Sequence, residues 1–269
     1  MTVLYAIPTI ALLALAIALA VALTCGGQLL VYRVFAHEDF IEHNDVAGPV
    51  VSVVGTLYAV VLGFITVVTW QQYDATRERV AQETASVADA WHNAVGLPTA
   101  PRAVLRRDML AYATDVATDE WPLMRTGRVS PAGDELIMDA TSAVGAAVPR
   151  NDAQSNAQSA TLRLLTDLHD SRARRLATNR SGLSWFEWTV LLIGAFIVIT
   201  LCLLFGVRNA GAHLVMTGSV GVILAVMFVL IFELQYPFRS DLGIPVLSWT
   251  ALIEHIHLMD ASAMPGMRM

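Results

Sequence analysis

The sequence has 269 residues, of which 55% are hydrophobic and only 15% are charged. A soluble globular domain averages about 25% charged residues, so this composition disfavours a cytosolic enzyme and a disordered chain. The formal net charge of −6 argues against nucleic-acid binding, which requires a basic surface. Both cysteines, Cys25 and Cys202, lie in or beside apolar runs, so we expect neither a disulfide framework nor a thiolate metal site. The composition predicts a membrane protein.

Four stretches are long and apolar enough to cross the bilayer, at about residues 4–24, 46–70, 188–207 and 211–233. Backbone polar groups in lipid must be paired within the segment, and about 20 apolar residues cross the hydrocarbon as a helix. The predicted fold class is an all-α integral membrane protein with four transmembrane helices and an α-helical cytoplasmic domain between the second and the third. The predicted domains are a first transmembrane hairpin (1–72), the cytoplasmic domain (73–186), a second transmembrane hairpin (187–236) and a cytoplasmic C-terminal tail (237–269).

The arginines predict the orientation of the chain. Thirteen lie in the central stretch, several of them close to a predicted span, such as Arg172 and Arg175. Each of the two short connections between spans contains one, Arg33 or Arg208. Because basic residues accumulate on the cytoplasmic side, the central stretch and both termini are predicted to be cytoplasmic, in a bacterial plasma membrane.

The connection between the first two spans concentrates side chains that can bind metal. Two histidines and four acidic residues lie within residues 37–45, and the weak metal candidates are His37, His43 and Asp45. No ordered ligand spacing such as H-E-x-x-H is present. We favour the alternative that Asn44 or Asp45 caps a helix starting at Val46, with the acidic residues at its positive end. No metal and no cofactor are therefore predicted.

The central stretch has helical periodicity throughout. Apolar or small residues recur every three or four positions, and the first series continues the helix of the second span. The four series are Val80, Thr84, Val87 and Trp91; Leu105, Met109, Tyr112 and Val116; Leu136, Ala140 and Val144; and Leu165, Leu168 and Leu176. The sequence Glu120-Trp121-Pro122 predicts a helix end whose tryptophan fills the core.

The second span has a stripe of small or hydroxylated residues, spaced at 4, 3, 4 and 3. These residues are Ser52, Thr56, Ala59, Gly63 and Thr66. Small residues let helix backbones approach closely in lipid, and this packing is the interpretation that periodicity alone favours. The alternative is a helix that lines a pore, with hydroxyl groups near a wet axis and apolar side chains forming a constriction.

The same helix resembles the pore helix of the bestrophin anion channels. The resemblance rests on Val61-Leu62-Gly63-Phe64, on the run Thr66-Val67-Val68-Thr69-Trp70 and on Gln72-Tyr73-Asp74. Over almost its whole length the chain is similar to the bacterial bestrophin-like family of four-span proteins, through His43 to Gly48, Tyr58 to Val60, Glu120 to Pro122, Arg172 to Leu176 and Pro237-Phe238. The resemblance implies a pentamer around a central pore. It also implies that Thr56, Val60 and Phe64 form the pore neck, where Thr56 departs from the apolar pattern. The acidic run of a calcium clasp is not matched, since only Asp241 follows Pro237-Phe238.

The leading hypothesis is a bestrophin-like oligomeric ion channel that passes small anions through a central pore lined by the second span. Its predicted partners are the lipid bilayer, other copies of the chain and small inorganic ions, and it is not predicted to be an enzyme. One alternative is a membrane-anchored scaffold or sensor whose cytoplasmic helices bind a partner. Another is a metal-dependent enzyme that uses residues 37–45. A coupled transporter is disfavoured because ionisable residues approach the last span only at its ends, at His213 and Glu233, and Glu233 is expected to reach the headgroups.

Overall fold

The structure, a computed structural model, describes residue 5, residues 7–35 and residues 44–263, with side chains up to residue 260. Within these ranges the chain forms helices and no β-strand. The helices are α1 (Thr9–Val34), α2 (Asn44–Asn93), α3 (Thr99–Asp115), α4 (Trp121–Arg125), α5 (Ala132–Gly145), α6 (Asp152–Arg180), α7 (Trp185–Leu203), α8 (Ala210–Leu234) and α9 (Leu247–Ala263). The predicted all-α fold class is confirmed.

The chain divides into two compact units. The first unit comprises Met1–Tyr73, Gly182–Gln235 and Ser240–Leu242. The second unit comprises Asp74–Ser181, Tyr236–Arg239 and Gly243–Met269. Four helices of the described chain are long and apolar enough to span a membrane, namely α1, α2, α7 and α8. The chain is therefore a multi-pass membrane protein.

In the first unit, α1 and α8 pack closely through small residues. A Cβ atom added at Gly218 would lie 3.3 Å from Cys25 Sγ, and one added at Gly221 would lie 2.8 Å from Thr24 Cγ2. Larger side chains at these two positions would force the helices apart, since close approach in lipid depends on small residues. The intramolecular seam of small residues in the first unit therefore includes α8, whereas the sequence pattern indicated one on the second span.

Polar side chains tie the ends of the membrane helices together. The buried His213 ring contacts the Tyr32 hydroxyl through Nδ1 at 2.7 Å and the Cys202 carbonyl through Nε2 at 3.0 Å. A carbonyl can only accept, so Nε2 is the donor in the contact with Cys202. At the other end of α8, the Glu233 carboxylate accepts a hydrogen bond from Thr9 Oγ1 at 3.0 Å and is 3% exposed. The Glu233 side chain is therefore buried beside α1, with the half-buried Thr9 as its partner, and is not free to extend to the headgroups.

The prediction that Asn44 or Asp45 caps the second span is wrong, because both residues already lie within α2. The Asn44 amide donates to the Gly206 carbonyl at 2.7 Å and accepts from the Gly206 N–H at 2.9 Å. Its side chain therefore fixes the connection between α7 and α8.

In the second unit, most residues of the predicted helical series are buried in the core, whereas Thr84, Leu136 and Leu176 are only half-buried. Helix α2 continues without a break to Asn93, as predicted, and Val80 and Val87 are buried. Leu105, Met109 and Tyr112 of α3 are fully buried. The predicted tail contains α9, whose Trp249 and Ile256 are also fully buried. The second unit is thus a bundle of helices with its own apolar core.

Candidate functional site

One face of α2 in the first unit is fixed by contacts with α7. Tyr58 and Leu62, one turn apart, are buried in a cluster with Leu191 and Ala195. The Tyr58 hydroxyl donates to the Leu191 carbonyl at 3.0 Å, and its ring lies where a Cβ atom of residue 194 would be. Glycine at position 194 is what lets the Tyr58 ring approach α7. This contact sets the rotation of α2 about its own axis.

The three neck positions lie on the opposite face of α2. Each residue of an α-helix is rotated by about 100°, so positions two apart point about 200° away from each other. Thr56 and Val60 are each two positions from Tyr58, and Phe64 is two positions from Leu62. All three side chains are exposed, Val60 to 50% and Phe64 to 66%. The structure therefore brings them together on one open, mainly apolar face.

The remaining stripe residues are placed differently. Ala59 is rotated by about 100° from Tyr58 and lies on the flank of the helix, whereas Gly63, seven positions after Thr56, is rotated by only about 20° from it and lies at the edge of the neck face. A Cβ atom added at Gly63 would meet no atom of the described residues within 4 Å, and the same holds for Gly55. Within the described part of one chain, these small residues therefore form no packing seam.

The hydroxyl groups along α2 are not equivalent. Ser52 Oγ donates to the Gly48 carbonyl at 2.9 Å, and Thr66 Oγ1 donates to the Leu62 carbonyl at 2.8 Å. The Thr56 hydroxyl has no hydrogen-bond partner among the described residues. An anion needs a hydrogen-bond donor, and a hydroxyl already donating to its own helix offers only lone pairs. Thr56 is therefore the stripe hydroxyl whose hydrogen is uncommitted.

The weak metal candidates are only partly within the described chain. His37 and His43 lie outside the described residues, and Asp45 is exposed in the first turn of α2. Among the described residues, no group of three or more His, Cys, Asp or Glu side chains is arranged to hold a metal ion.

The second unit contains a buried ionic network, formed by Glu83, Tyr112, Glu120, Arg172 and Arg175. The Arg175 guanidinium donates to Glu83 through Nε at 2.7 Å and Nη2 at 3.0 Å, and Nη2 also lies 2.6 Å from Glu120 Oε1 as an ion pair. Arg172 Nη1 donates to Glu120 Oε2 at 2.5 Å, and Tyr112 donates to Glu83 Oε1 at 2.5 Å. All five residues are at most 1% exposed. The network therefore buries two cations and two anions, and Arg172 Nε also donates to the exposed Asp134 at 2.9 Å.

The surroundings shift the pKa values of three members of this network, Tyr112, Arg172 and Arg175. Burial raises the pKa of the Tyr112 hydroxyl well above its ordinary value, and the charge of Glu83 raises it further. Burial by itself lowers the pKa of Arg172 and Arg175, but neighbouring groups outweigh this effect and raise both pKa values. These groups are Tyr112 and Glu120 for Arg172, and Glu83, Tyr112 and Glu120 for Arg175. Tyr112 therefore remains a donor and both guanidiniums remain charged.

A turn of π-helix at Val116–Glu120 precedes α4 and carries Glu120 into the network. π-Helical turns inserted between α-helices often occur at functional positions. Trp121 is buried as predicted and donates from Nε1 to the Ile244 carbonyl at 3.3 Å.

A family model described as a Bestrophin-like domain matches residues 18–246 of the chain. The chain belongs to the bestrophin-like family. A search of curated proteins finds no match for this bestrophin-like protein. Its fold is similar to crystal structures of a bacterial bestrophin homolog from Klebsiella pneumoniae. The structure obtained by Zn-SAD phasing has a TM-score of 0.69 at 12% identity, covering 92% of this chain and 98% of the other. A point mutant of that homolog has a TM-score of 0.65 at 14% identity, with the same coverage. At these identities the likeness shows the fold.

The ionic network of this bestrophin-like protein is not evident from its sequence. The number of arginines in the central stretch predicts the membrane orientation, but the guanidiniums of Arg172 and Arg175 are buried in the second unit. One available signal was the spacing of the two arginines. Leu165, Leu168, Arg172 and Arg175 recur every three or four positions, so they share one face of the helix. Arginines on the same face as buried leucines are expected to be buried too, and therefore to be paired with opposite charges.

Proposed function

We propose that this bestrophin-like protein is an oligomeric ion channel in which copies of α2 surround a central pore that passes small anions. The observation that carries the proposal is the open face of α2 opposite its contact with α7. Thr56, Val60 and Phe64 share this face, and they match the neck positions that the family resemblance implies. A ring of copies gives this face a common axis, and five copies follow from the resemblance.

The proposed neck combines an apolar constriction with one ring of hydrogen-bond donors. Phe64 and Val60 narrow the pore, and a hydrophobic constriction can gate conduction by dewetting. The uncommitted Thr56 hydroxyl can donate to a partly dehydrated anion. Residues 73–186 contain thirteen arginines and fourteen acidic residues, so the net charge of this stretch is close to zero. Selectivity is therefore assigned to the neck.

The flanks of α2 are proposed to meet the neighbouring copies. Ala59 and Gly63 lie beside the neck face, and no side chain of the described chain covers the space around Gly63. Small residues at this place allow adjacent copies to approach closely. In this proposal each interpretation of the stripe holds for part of it. The residues on the flank pack against the neighbouring copies, and the residues on the open face line the pore.

Recordings from the purified protein in planar bilayers test conduction and selectivity. Phe64→Ala is expected to increase single-channel conductance because it widens the apolar constriction. Thr56→Val is expected to lower the chloride-to-sodium permeability ratio, measured from reversal potentials, whereas Thr56→Ser retains the hydroxyl and is the matched control. No conductance in the parent or in Phe64→Ala, over a range of voltage and pH, would contradict the channel. Equal ratios in Thr56→Val and Thr56→Ser would contradict the role of the hydroxyl.

Cysteine labelling and native mass spectrometry separate the channel from a membrane-anchored scaffold. In a chain with Cys25 and Cys202 replaced by serine, cysteines at Thr56 and Val60 should react with a charged, water-soluble reagent. A cysteine at Ile193, an exposed position of α7, is the control and should be protected by lipid. Native mass spectrometry should show a closed ring. A monomer or dimer with all three positions protected would support the scaffold.

A further inference from the structure

In the first unit, α1 and α7 meet at one end and enclose a groove towards the other. A Cβ atom added at Gly27 of α1 would lie 3.2 Å from Cδ1 of Leu203, the last residue of α7, and Gln28 Nε2 donates to the Leu203 carbonyl at 3.3 Å. Beyond this contact, a groove of about 480 Å³ lies between the two helices, with side chains of α8 as its floor. All of its lining residues belong to these three membrane-spanning helices.

The groove has the depth of one leaflet. Along α7 its lining extends from Trp188 to Ile199, and along α8 from Gly221 to Phe232. Each of these segments is about 16 Å long at 1.5 Å per residue, which is about half of the ~30 Å hydrocarbon core. The groove therefore begins near one membrane surface, where α7 starts and α8 ends, and closes close to the middle of the bilayer.

The floor of the groove is buried, and its rim is exposed. On α8, Leu224 and Ala225 are 8% and 7% exposed, whereas Leu19 of α1 and Phe196 of α7 are 57% and 70% exposed. Exposed apolar side chains on membrane-spanning helices form the surface that lipid tails solvate. The groove is therefore continuous with the lipid-facing surface of the first unit.

The lining of the groove offers no available polar group. The Thr24 hydroxyl donates to the Ala20 carbonyl at 2.8 Å, and Trp188 Nε1 donates to Gln235 Oε1 at 3.2 Å. Among the described residues, no charged side chain lines the groove. Its ligand is therefore expected to be apolar over the whole length of the groove.

We propose that this groove binds one acyl chain of a bilayer phospholipid. An acyl chain is a single file of methylene groups, and it ends near the middle of the bilayer, as the groove does. An empty groove would leave its lining atoms without contact partners. Trp188 lies at the open end, and tryptophan favours the level of the headgroups, so the headgroup stays outside the groove.

A helix of a second copy does not fit the same space. A helix with its side chains is about 10–12 Å wide, so a length of about 16 Å occupies at least about 1,300 Å³. The groove holds about 480 Å³. A membrane-spanning helix would also have to continue past the contact of α1 with Leu203, where the groove is closed. The dimensions therefore favour the narrower and shorter occupant.

The test is photolabelling of the full chain in nanodiscs, with a phosphatidylcholine that carries a diazirine in one acyl chain. Adducts are located by peptide mass spectrometry. A diazirine near the ester should label Val229, and one further along the acyl chain should label Leu224, both on the buried floor. Ile223, the exposed neighbour of Leu224, reports labelling by the surrounding lipid.

Two variants compare the groove with the outer surface of α1. Ala16→Phe places a large side chain in the groove, because Ala16 is one of its half-buried lining residues. It should remove the adducts at Val229 and Leu224 and leave those at Ile223. Ala18→Phe, at an exposed position rotated by about 200°, is the matched control and should label as the parent does.

Three outcomes overturn the proposal. The first is no adduct at Val229 or Leu224 in the parent, and the second is an equal loss of these adducts in both variants. The third is a disulfide cross-link between two copies through Ala16→Cys, since a neighbouring chain then fills the groove. The first outcome is read from the parent chain, so the test does not depend on the folding of either variant.

Discussion

Replacing Glu83 by glutamine should strongly destabilise the second unit. The Glu83 carboxylate accepts two hydrogen bonds from Arg175 and one from Tyr112, and all three residues are fully buried. Glutamine has nearly the same shape, so no cavity forms, but one of the two buried negative charges is lost. Among the described residues, Glu120 is then the only buried carboxylate that pairs with Arg172 and Arg175.

Breaking a buried ion pair from one side costs about 3–5 kcal/mol, because the remaining charge stays buried without a partner. That is roughly two to three and a half orders of magnitude in the ratio of folded to unfolded protein, at about 1.4 kcal/mol per factor of ten. It is also a large share of the ~5–15 kcal/mol that stabilises a typical protein. Urea unfolding of the full chain in detergent should therefore show a much lower midpoint. Hydrogen exchange should increase in α3 and α6, which carry Tyr112 and Arg175.

Two further variants make this prediction specific to the charge. Asp170→Asn removes an exposed carboxylate that lies 3.8 Å from Arg174, and it should change stability by less than about 0.5 kcal/mol. Glu83→Gln combined with Arg175→Met leaves one buried cation and one buried anion, so the double variant should be more stable than Glu83→Gln alone. If Glu83→Gln matches Asp170→Asn, or if the double variant is the less stable, the charge argument is refuted.

Three other substitutions give independent predictions. Gly194→Ala should cost about 1–3 kcal/mol, since the added Cβ overlaps the Tyr58 ring, whereas Gly55→Ala meets open space and should not destabilise in the same thermal assay. Gly127→Ala should cost about 1–3 kcal/mol in thermal unfolding, because its φ of 75° is strained for any side chain. Burial raises the pKa of the Asp115 carboxyl, so the folded state binds this proton more readily than the unfolded state does. Asp115 therefore contributes stability only as the pH falls below that raised pKa. As the pH is lowered from 7 towards 4, stability should shift in favour of the parent over Asp115→Asn, and a difference independent of pH would contradict this.

The sequence by itself determined the membrane-spanning class and most of the helices. Uncharged runs of about 20 residues leave the chain no alternative to helices in lipid, where every backbone group must be paired locally. The helical series were equally readable, because a residue such as Leu105 or Tyr112 reports its own burial through spacing along one helix. The length of an uncharged run and the spacing of apolar residues are local properties, so both can be read from a single sequence.

Only the tertiary structure decided which face of α2 is open. Spacing showed a stripe of small residues, but both a packing seam and an open face have the same period. The contact of Tyr58 with Leu191, 133 residues away, fixes the rotation of the helix and so separates the neck positions from the flank. The rotation of a helix about its axis depends on the neighbouring helices, so it cannot be inferred from the spacing of residues along the helix alone.

The ionic network shows the same limit for charged residues. In the sequence, Arg175 is one of thirteen arginines in the central stretch, and exposure is the ordinary expectation for any of them. Its partner Glu83 lies 92 positions earlier, on a different helix. A charge can be buried only where folding brings an opposite charge to it, so the burial of Arg175 is decided by the packing of α2 against α6 within the second unit.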